Sequence, residues 1–321
     1  MIMAVDLPRY EDLPVTPEAP PHSSWGLWGD TDGLGCLNLL TEERIRRAVG
    51  TVRDGLSIAL NASLDAFQRP LFERERYTHE VSELGRGMVR DEVLSNFNTQ
   101  SSSQWDGFRH MRSRWYGFYN GLDEMELGVD AWAKKGIVGR GVVLDVSTWR
   151  AQQGRPFDFA TPDPITVEDL ESVADESGVT VETGDILIVH TGWLDWARTQ
   201  PALEVGCAPG LRPGRDMLAY LWNKHVAAVV SDTPSVEVWP PAAFATVEQR
   251  ERAKHEPEAI VDVFMHSELL ALLGLPLGEL WDTGRLAECL RERGRSDFLL
   301  VSVPLNLPNG VASVSNAVAI L

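Results

Sequence analysis

The chain has 321 residues, 44% of them apolar, which is enough for a sizeable core in one large domain or two small ones. Asp and Glu number 47 against 29 Lys and Arg, and the net charge of -18 repels phosphate backbones and anionic lipids, so neither nucleic acid nor membrane is expected as a partner. Cys36, Cys207 and Cys289 lie far apart with no C-x-x-C pair, which argues against a disulfide framework and agrees with a reducing cytoplasm. The first residues show no basic stretch followed by an apolar run, so no signal peptide is expected, and no apolar run approaches the about 20 residues that span a bilayer.

Residues 1–23 are proline-rich and read as an extended arm over the surface, reaching toward a second subunit; residues 24–321 read as one domain. Trp25 to Gly35 is rich in turn residues. A calcium loop is rejected there, because the glycine is misplaced and position twelve is Thr41 rather than Glu. Thr41 reads as an N-cap, Ile45, Ala48 and Val49 recur at helical spacing, and Gly50 stops the helix. A short strand is expected at 56–60. The polar stretch 67–100 reads as an irregular approach to a binding site. The aromatics at 115–119 are either core or one wall of a pocket for a flat molecule. Further on, strands are expected at 142–146, 186–190, 226–230 and 299–305, with 311–321 closing the sheet. Helices are expected from Thr166 to Gly178, at 215–222 and, most strongly, at 258–273. Strands and helices alternate from about residue 140, so the fold class is α/β, or mixed α+β, in a single domain.

The densest chemistry lies in Gln100-Ser-Ser-Ser103-Gln104-Trp105-Asp106-Gly-Phe-Arg-His110. Two amides, a carboxylate and an imidazole fall within eleven residues. Gln104 and Asp106 are two apart and face the same side of an extended chain. Such a cluster can converge on one ion or one water. A second informative region runs from His266, on a mostly apolar stretch, through a turn to Glu279. A lone His on an apolar helix is more often a hydrogen-bonded core residue than a ligand.

The first stretch resembles, in register, the H-x-G-T-H-x-D-x-P-x-H signature of the cyclase family of metal-dependent hydrolases, the family of bacterial kynurenine formamidase and isatin hydrolase. Gln100 and Gln104 stand where that pattern has its first two His, Ser102-Ser103 replace Gly-Thr, Phe108 replaces Pro, and Asp106 and His110 are kept. Trp25 to Asn38 is similar to the family's W-G-x-x-D-x-x-G-x-x-N opening, Gly184 to Trp193 to its G-D-x-L-x-x-x-T-G-W, and Asp232-Thr233 to its D-T/S element. The resemblance implies a swivelling β/β/α fold around a central sheet. It also implies a divalent metal, zinc or manganese, on Asp106, His110, His266 and Glu279, with His110, Glu279 and His266 as catalytic groups. Gln100, Gln104, Trp105 and Ser103 would then bind substrate. It further implies a homodimer or homotetramer acting on a small molecule, with no nucleotide or organic cofactor.

Gln is a weak oxygen ligand, so the departure at two His positions leaves the metal open. Three functions remain on the sequence: a metal-dependent hydrolase of a cyclic or aryl amide, imide or lactone (arylformamidase-like chemistry); a metal-independent cyclase, lyase or dehydratase on the same scaffold; and a non-catalytic ligand-binding relative. The chain contains no G-x-S-x-G, no second His to complete a zincin helix, no G-x-G-x-x-G and no P-loop.

Overall fold

The computed structural model describes residues 7–200, 203 and 205–321. Helix α1 (Glu42–Val49) begins at Thr41, whose hydroxyl accepts the Arg44 N–H as an N-cap does. Strand β1 (Ser57–Ala59) follows, then β2 (Thr78–Leu84), β3 (Val89–Ser95) and the short buried β4 (Gln104–Asp106). After α2 (Asp130–Lys135) come β5 (Ile137–Asp145), α3 (Val146–Gln152), β6 (Pro164–Ile165), α4 (Val167–Glu176) and β7 (Ile186–His190). Next are α5 (Trp193–Arg198), β8 (Gly210–Leu211), α6 (Arg215–Asn223), β9 (Ala228–Ser231), α7 (Val247–Arg252), α8 (His266–Ala271) and β10 (Leu277–Glu279). Helix α9 (Gly284–Glu292) and strands β11 (Asp297–Ser302), β12 (Ala312–Val314) and β13 (Ala317–Ile320) complete the chain.

One sheet carries the fold, with strand order β1-β13-β11-β5-β7-β9-β10-β4-β12. Its centre, β5-β7-β9-β10, is parallel, and the flanks are antiparallel. Every residue of β7 and β9 is buried, which explains their continuous apolar runs: helical crossovers cover both faces of a parallel sheet. Only Ser315 and Asn316 separate β12 from β13, yet β12 ends the order and β13 is the second strand from its other end. Two residues reach about 10 Å at most, so the sheet curls until its ends meet. Asn61 pins that seam. Its Oδ1 accepts from the Ser315 hydroxyl (2.7 Å) and the Ala317 N–H (2.9 Å), and its Nδ2 donates to the Ala317 carbonyl (2.9 Å).

Several expectations change. The stretch 67–100 is not wholly irregular, because β2 and β3 pair as a hairpin in which every residue is exposed. The helix expected over 258–273 is two pieces: a 3-10 turn, Pro257–Asp262, and then α8. Strand β11 stops at Ser302, two residues before Pro304, whose missing N–H cannot extend a ladder. The closing segment is two strands rather than one. The described part of the N-terminal arm lies on its own chain: Tyr10 is buried, its N–H donates to Asn223 Oδ1 (2.8 Å), and Trp222 Nε1 donates to the Pro8 carbonyl (2.8 Å). Residues 1–6 of that arm lie outside the described residues.

The turn-rich segment after the arm caps α8. The last carbonyls of a helix lack internal partners. Here Trp25 Nε1 donates to the Ala271 carbonyl (2.7 Å), the Ser24 N–H to that of Leu272 (2.9 Å), and the Cys36 N–H to that of Gly274 (2.8 Å). Gly35 makes the approach feasible, since a Cβ there would lie 2.1 Å from the Gly274 oxygen. Among the described residues no helix is long and apolar enough to cross a membrane.

Candidate metal centre

Strand β4 aims its side chains alternately. Gln104 and Asp106 face one side, and Trp105 faces the other. Trp105 is fully buried, packs edge-on against Trp281 at 4.9 Å, and donates from Nε1 to Ser302 Oγ (2.9 Å). It belongs to the core, so the expectation that it touches a ligand is corrected by the period-two geometry of the strand. Ser103 is likewise used by the scaffold: its hydroxyl accepts from the Ala62 N–H (2.8 Å) and donates to the Leu280 carbonyl.

The face of β4 that Gln104 and Asp106 share meets three other elements. On the antiparallel partner β10, Glu279 lies opposite Gln104, and Gln104 Nε2 donates to Glu279 Oε2 (2.8 Å) and, at 3.3 Å, to Asp106 Oδ1. Gln100 Nε2 donates to Asp106 Oδ1 (2.7 Å) and stands 3.1 Å from His110 Nδ1. With both amide hydrogens so used, the His110 proton sits on Nε2, facing Asp106 Oδ2 at 4.0 Å. His266, at the start of α8, brings Nε2 to 3.6 Å from the same Asp106 oxygen. Its other nitrogen, Nδ1, faces Glu237 Oε1 at 3.6 Å and Glu279 Oε1 at 3.9 Å. Donor atoms of Asp106, His110 and His266 all fall within 4.8 Å of one another. Asp106 Oδ2 and His266 Nε2 are buried and have no hydrogen-bond partner among the described residues. Gln104 Oε1 is a third such atom. Buried polar atoms of this kind are costly unless something binds them.

The charges are divided unequally. Burial alone would raise the Asp106 carboxyl, but His110, His266 and Gln100 outweigh it and hold the group below the usual carboxylate range. Burial, together with the neighbouring Asp106 charge, pushes Glu279 well above its ordinary value. Burial also lowers His110, which keeps its imidazole neutral near pH 7. The arrangement is thus one carboxylate and two imidazoles that converge, with the upward-shifted Glu279 carboxyl and two amides around them. Of the four ligands the resemblance implied, Asp106, His110 and His266 converge, while Glu279 holds the Gln104 amide instead.

Two contributors escaped the sequence. Glu237 is buried, and its carboxylate accepts the Met265 N–H (3.0 Å) and the His266 N–H (3.1 Å). It caps α8 from another segment, which is why the helix restarts at His266 and the expected continuous helix is broken. Its only trace in the sequence is an acidic residue inside the apolar run Val236-Glu237-Val238. Arg74, the second, donates from Nη1 to the Gln100 carbonyl (2.5 Å). The motif residues Thr191 and Asp232 meet each other rather than the cluster: Asp232 Oδ1 accepts from the Thr191 N–H (2.8 Å) and hydroxyl (2.9 Å). Of the aromatic patch, Tyr119 is core, donating to Asp32 Oδ2 (3.1 Å), and Trp115, Tyr116 and Phe118 are half-buried.

A family model described as "Putative cyclase" matches residues 55–238, more than half of the chain. The chain belongs to the cyclase family. The matched region contains Asp106 and His110, and His266 and Glu279 lie beyond it. No curated protein matches. Among solved structures, one described as a novel cyclase is 25% identical, with a TM-score of 0.75 over 93% of this chain and 99% of that one. Isatin hydrolase A from Labrenzia aggregata bound to benzyl benzoate is 17% identical, with a TM-score of 0.54 over 85% and 94%. An isatin hydrolase bound to the product analogue thioisatinate is 16% identical, with a TM-score of 0.55 over 88% and 98%. The curled nine-stranded sheet is therefore the cyclase-family fold.

In this cyclase-family chain Glu237 also makes stability depend on pH. Burial raises its carboxyl to about 7, against 4.5 when unfolded. Glu268, on α8, is raised to about 7, again chiefly by burial. Between those values the folded state keeps protons that the unfolded chain releases, so the stability of the metal-free protein falls as pH rises from about 4.5 to 7. Each group accounts for about 3 kcal/mol over that window. Glu237→Gln is expected to flatten this slope and to cost about 1–3 kcal/mol at pH 5, because one backbone N–H loses its acceptor. Chemical denaturation at several pH values measures both, and an unchanged slope in the variant rejects the assignment.

Proposed function

We propose that this cyclase-family chain is a divalent-metal-dependent hydrolase that cleaves a C–N or C–O acyl bond in a small cyclic or aromatic amide, imide or lactone. The observation that carries the reading is the pair of buried, unpartnered atoms Asp106 Oδ2 and His266 Nε2, 3.6 Å apart, with His110 beside them. One carboxylate and two imidazoles are a donor set that zinc or manganese accepts, so the residues fit the group. A bound cation there would polarise the acyl oxygen and lower the pKa of a water.

The chain's own residues do the rest. Glu237 fixes the start of α8 and faces His266 Nδ1, leaving Nε2 turned toward Asp106, as outer-shell carboxylates do for metal-ligating His. His110 becomes a ligand only by giving up its Nε2 proton, which requires Gln100 to accept rather than donate at Nδ1; loading and the orientation of the Gln100 amide are thereby coupled. Glu279, whose carboxyl burial and the Asp106 charge push well above its ordinary value, faces Gln104 across the strand pair and is suited to deliver a proton to a leaving group. Gln104, once displaced from Glu279, offers amide N–H groups to a substrate carbonyl.

Chelation is expected to remove hydrolysis of a panel of aryl amides, imides and lactones, and zinc or manganese to restore it. Full activity in protein that elemental analysis finds metal-free sinks the reading and favours the metal-independent cyclase or lyase. Gln104→His adds an imidazole beside Asp106 and is expected to tighten metal binding about tenfold or more, read by competition with a chelator, without a matching gain in rate.

A further inference from the structure

The loop that precedes the exposed hairpin forms the wall of a cleft of about 720 Å³, lined by Arg69, Arg74 and Arg76 together with Leu71 and Phe72. Phe72 and Glu73 both hold positive φ, 58° and 57°. Two adjacent non-glycine residues in that region are strained, and such strain persists only where surrounding contacts enforce it. Those contacts are visible: Phe72 packs edge-on against Trp239 at 5.2 Å, and the Arg74 guanidinium lies 5.3 Å from the Phe72 ring centre. The turn sends Arg74 back to the Gln100 carbonyl, the same Gln100 whose amide binds Asp106 and faces His110. Arg74 therefore lines both the cleft and the rim of the metal centre. Burial lowers the Arg74 guanidinium while Asp106 and Glu279 raise it, and its charge in turn draws down the His110 imidazole and the Glu279 carboxyl.

A chain of net charge -18 repels anions over most of its surface. Three arginines against one glutamate, Glu73, leave this cleft with a net positive lining. A guanidinium is the group that recognises a carboxylate in a fixed planar geometry. With Nη1 committed to the Gln100 carbonyl, the Arg74 Nε and Nη2 edge makes no hydrogen bond among the described residues.

We propose that Arg74 binds a carboxylate on the substrate, with Arg69 and Arg76 steering it along the cleft, so that the substrate class is an anionic acyl compound. This rests on the acyl-hydrolase reading, in which the reacting carbonyl occupies the space by Asp106 and His266, to which Arg74 is joined through Gln100. Arg74 is a specificity-determining residue on this view.

Calorimetry with benzoate and with its neutral isostere benzamide tests it, on protein of matched metal content. Wild-type protein is expected to bind benzoate at least tenfold more tightly than benzamide, with the preference shrinking as salt is raised. Arg74→Met is expected to weaken benzoate tenfold or more and leave benzamide within about twofold, and Arg74→Lys to recover part of the loss. Arg69→Gln with Arg76→Gln, on the approach, is expected to slow benzoate association and reduce its salt dependence without changing metal content. Equal binding of the two probes by wild type, or equal losses of both in Arg74→Met, overturns the proposal. Benzoate binding that depends on Arg74 in protein that cleaves no acyl compound sustains the carboxylate site and defeats the hydrolase reading. Cleavage of neutral and anionic acyl compounds with equal kcat/KM, unchanged in Arg74→Met, does the opposite.

Discussion

Asp106→Asn is expected to yield a folded protein that retains almost no metal and hydrolyses at about 10^-3 of the wild-type rate, a loss of about 4 kcal/mol of transition-state stabilisation. Asp106 is where the centre converges: Gln100 and Gln104 donate to one of its oxygens, and His110 and His266 face the other. Asparagine keeps the shape but removes the charge and puts an N–H₂ on one of those sides. Facing Gln100, it sets donor against donor; facing His266, it offers a donor where a cation would sit. The metal-free variant is expected to be less stable than the metal-free wild type, because the contacts from His110, His266 and Gln100 outweigh the burial cost of the Asp106 charge and the neutral amide forfeits them. Elemental analysis, circular dichroism and kcat/KM together check the result. A variant that keeps its metal and its rate removes Asp106 from the site.

Trp105→Ala is expected to destabilise the fold by about 3–5 kcal/mol while leaving no direct mark on substrate recognition. The side chain is fully buried, its ring meets Trp281, and its N–H satisfies Ser302, which itself donates to the Ser315 carbonyl at the seam of the sheet. Removing it opens a cavity behind β4 and strips a partner from the contact that holds the sheet's two ends together. Any loss of rate is expected to follow the fraction unfolded. Denaturant titration beside kcat/KM at low temperature, where the variant is folded, separates the two. A variant of wild-type stability with an altered KM places Trp105 in the binding site after all.

The parts of the fold that are local in the chain were legible before any coordinates. Thr41 and Thr166 cap helices because a hydroxyl reaches its own chain three residues on, and the capping box at Thr166 and Asp169 forms as its spacing predicts. The apolar run at 186–190 is a strand because a sheet covered on both faces needs no polar side. Gln104 and Asp106 share a face because strands alternate. That same alternation should have set Trp105 aside as core, and the neighbouring motif drew it into the site instead.

What the sequence by itself determined is the class of the fold, the positions of most strands and helices, and the residue types gathered near Asp106. The tertiary structure alone decided which of them meet. Glu237 caps His266 from 29 positions away, so helical periodicity over 258–273 is overruled at Met265 by a carboxylate that no local window contains. Glu279 ends against the Gln104 amide because β10 pairs with β4 in one register, and a one-residue slip would have turned it away. Arg74 reaches Gln100 because two strained residues reverse the chain before it. Periodicity, caps and turns are energies of neighbours in sequence, whereas a centre built from four segments is an energy of neighbours in space.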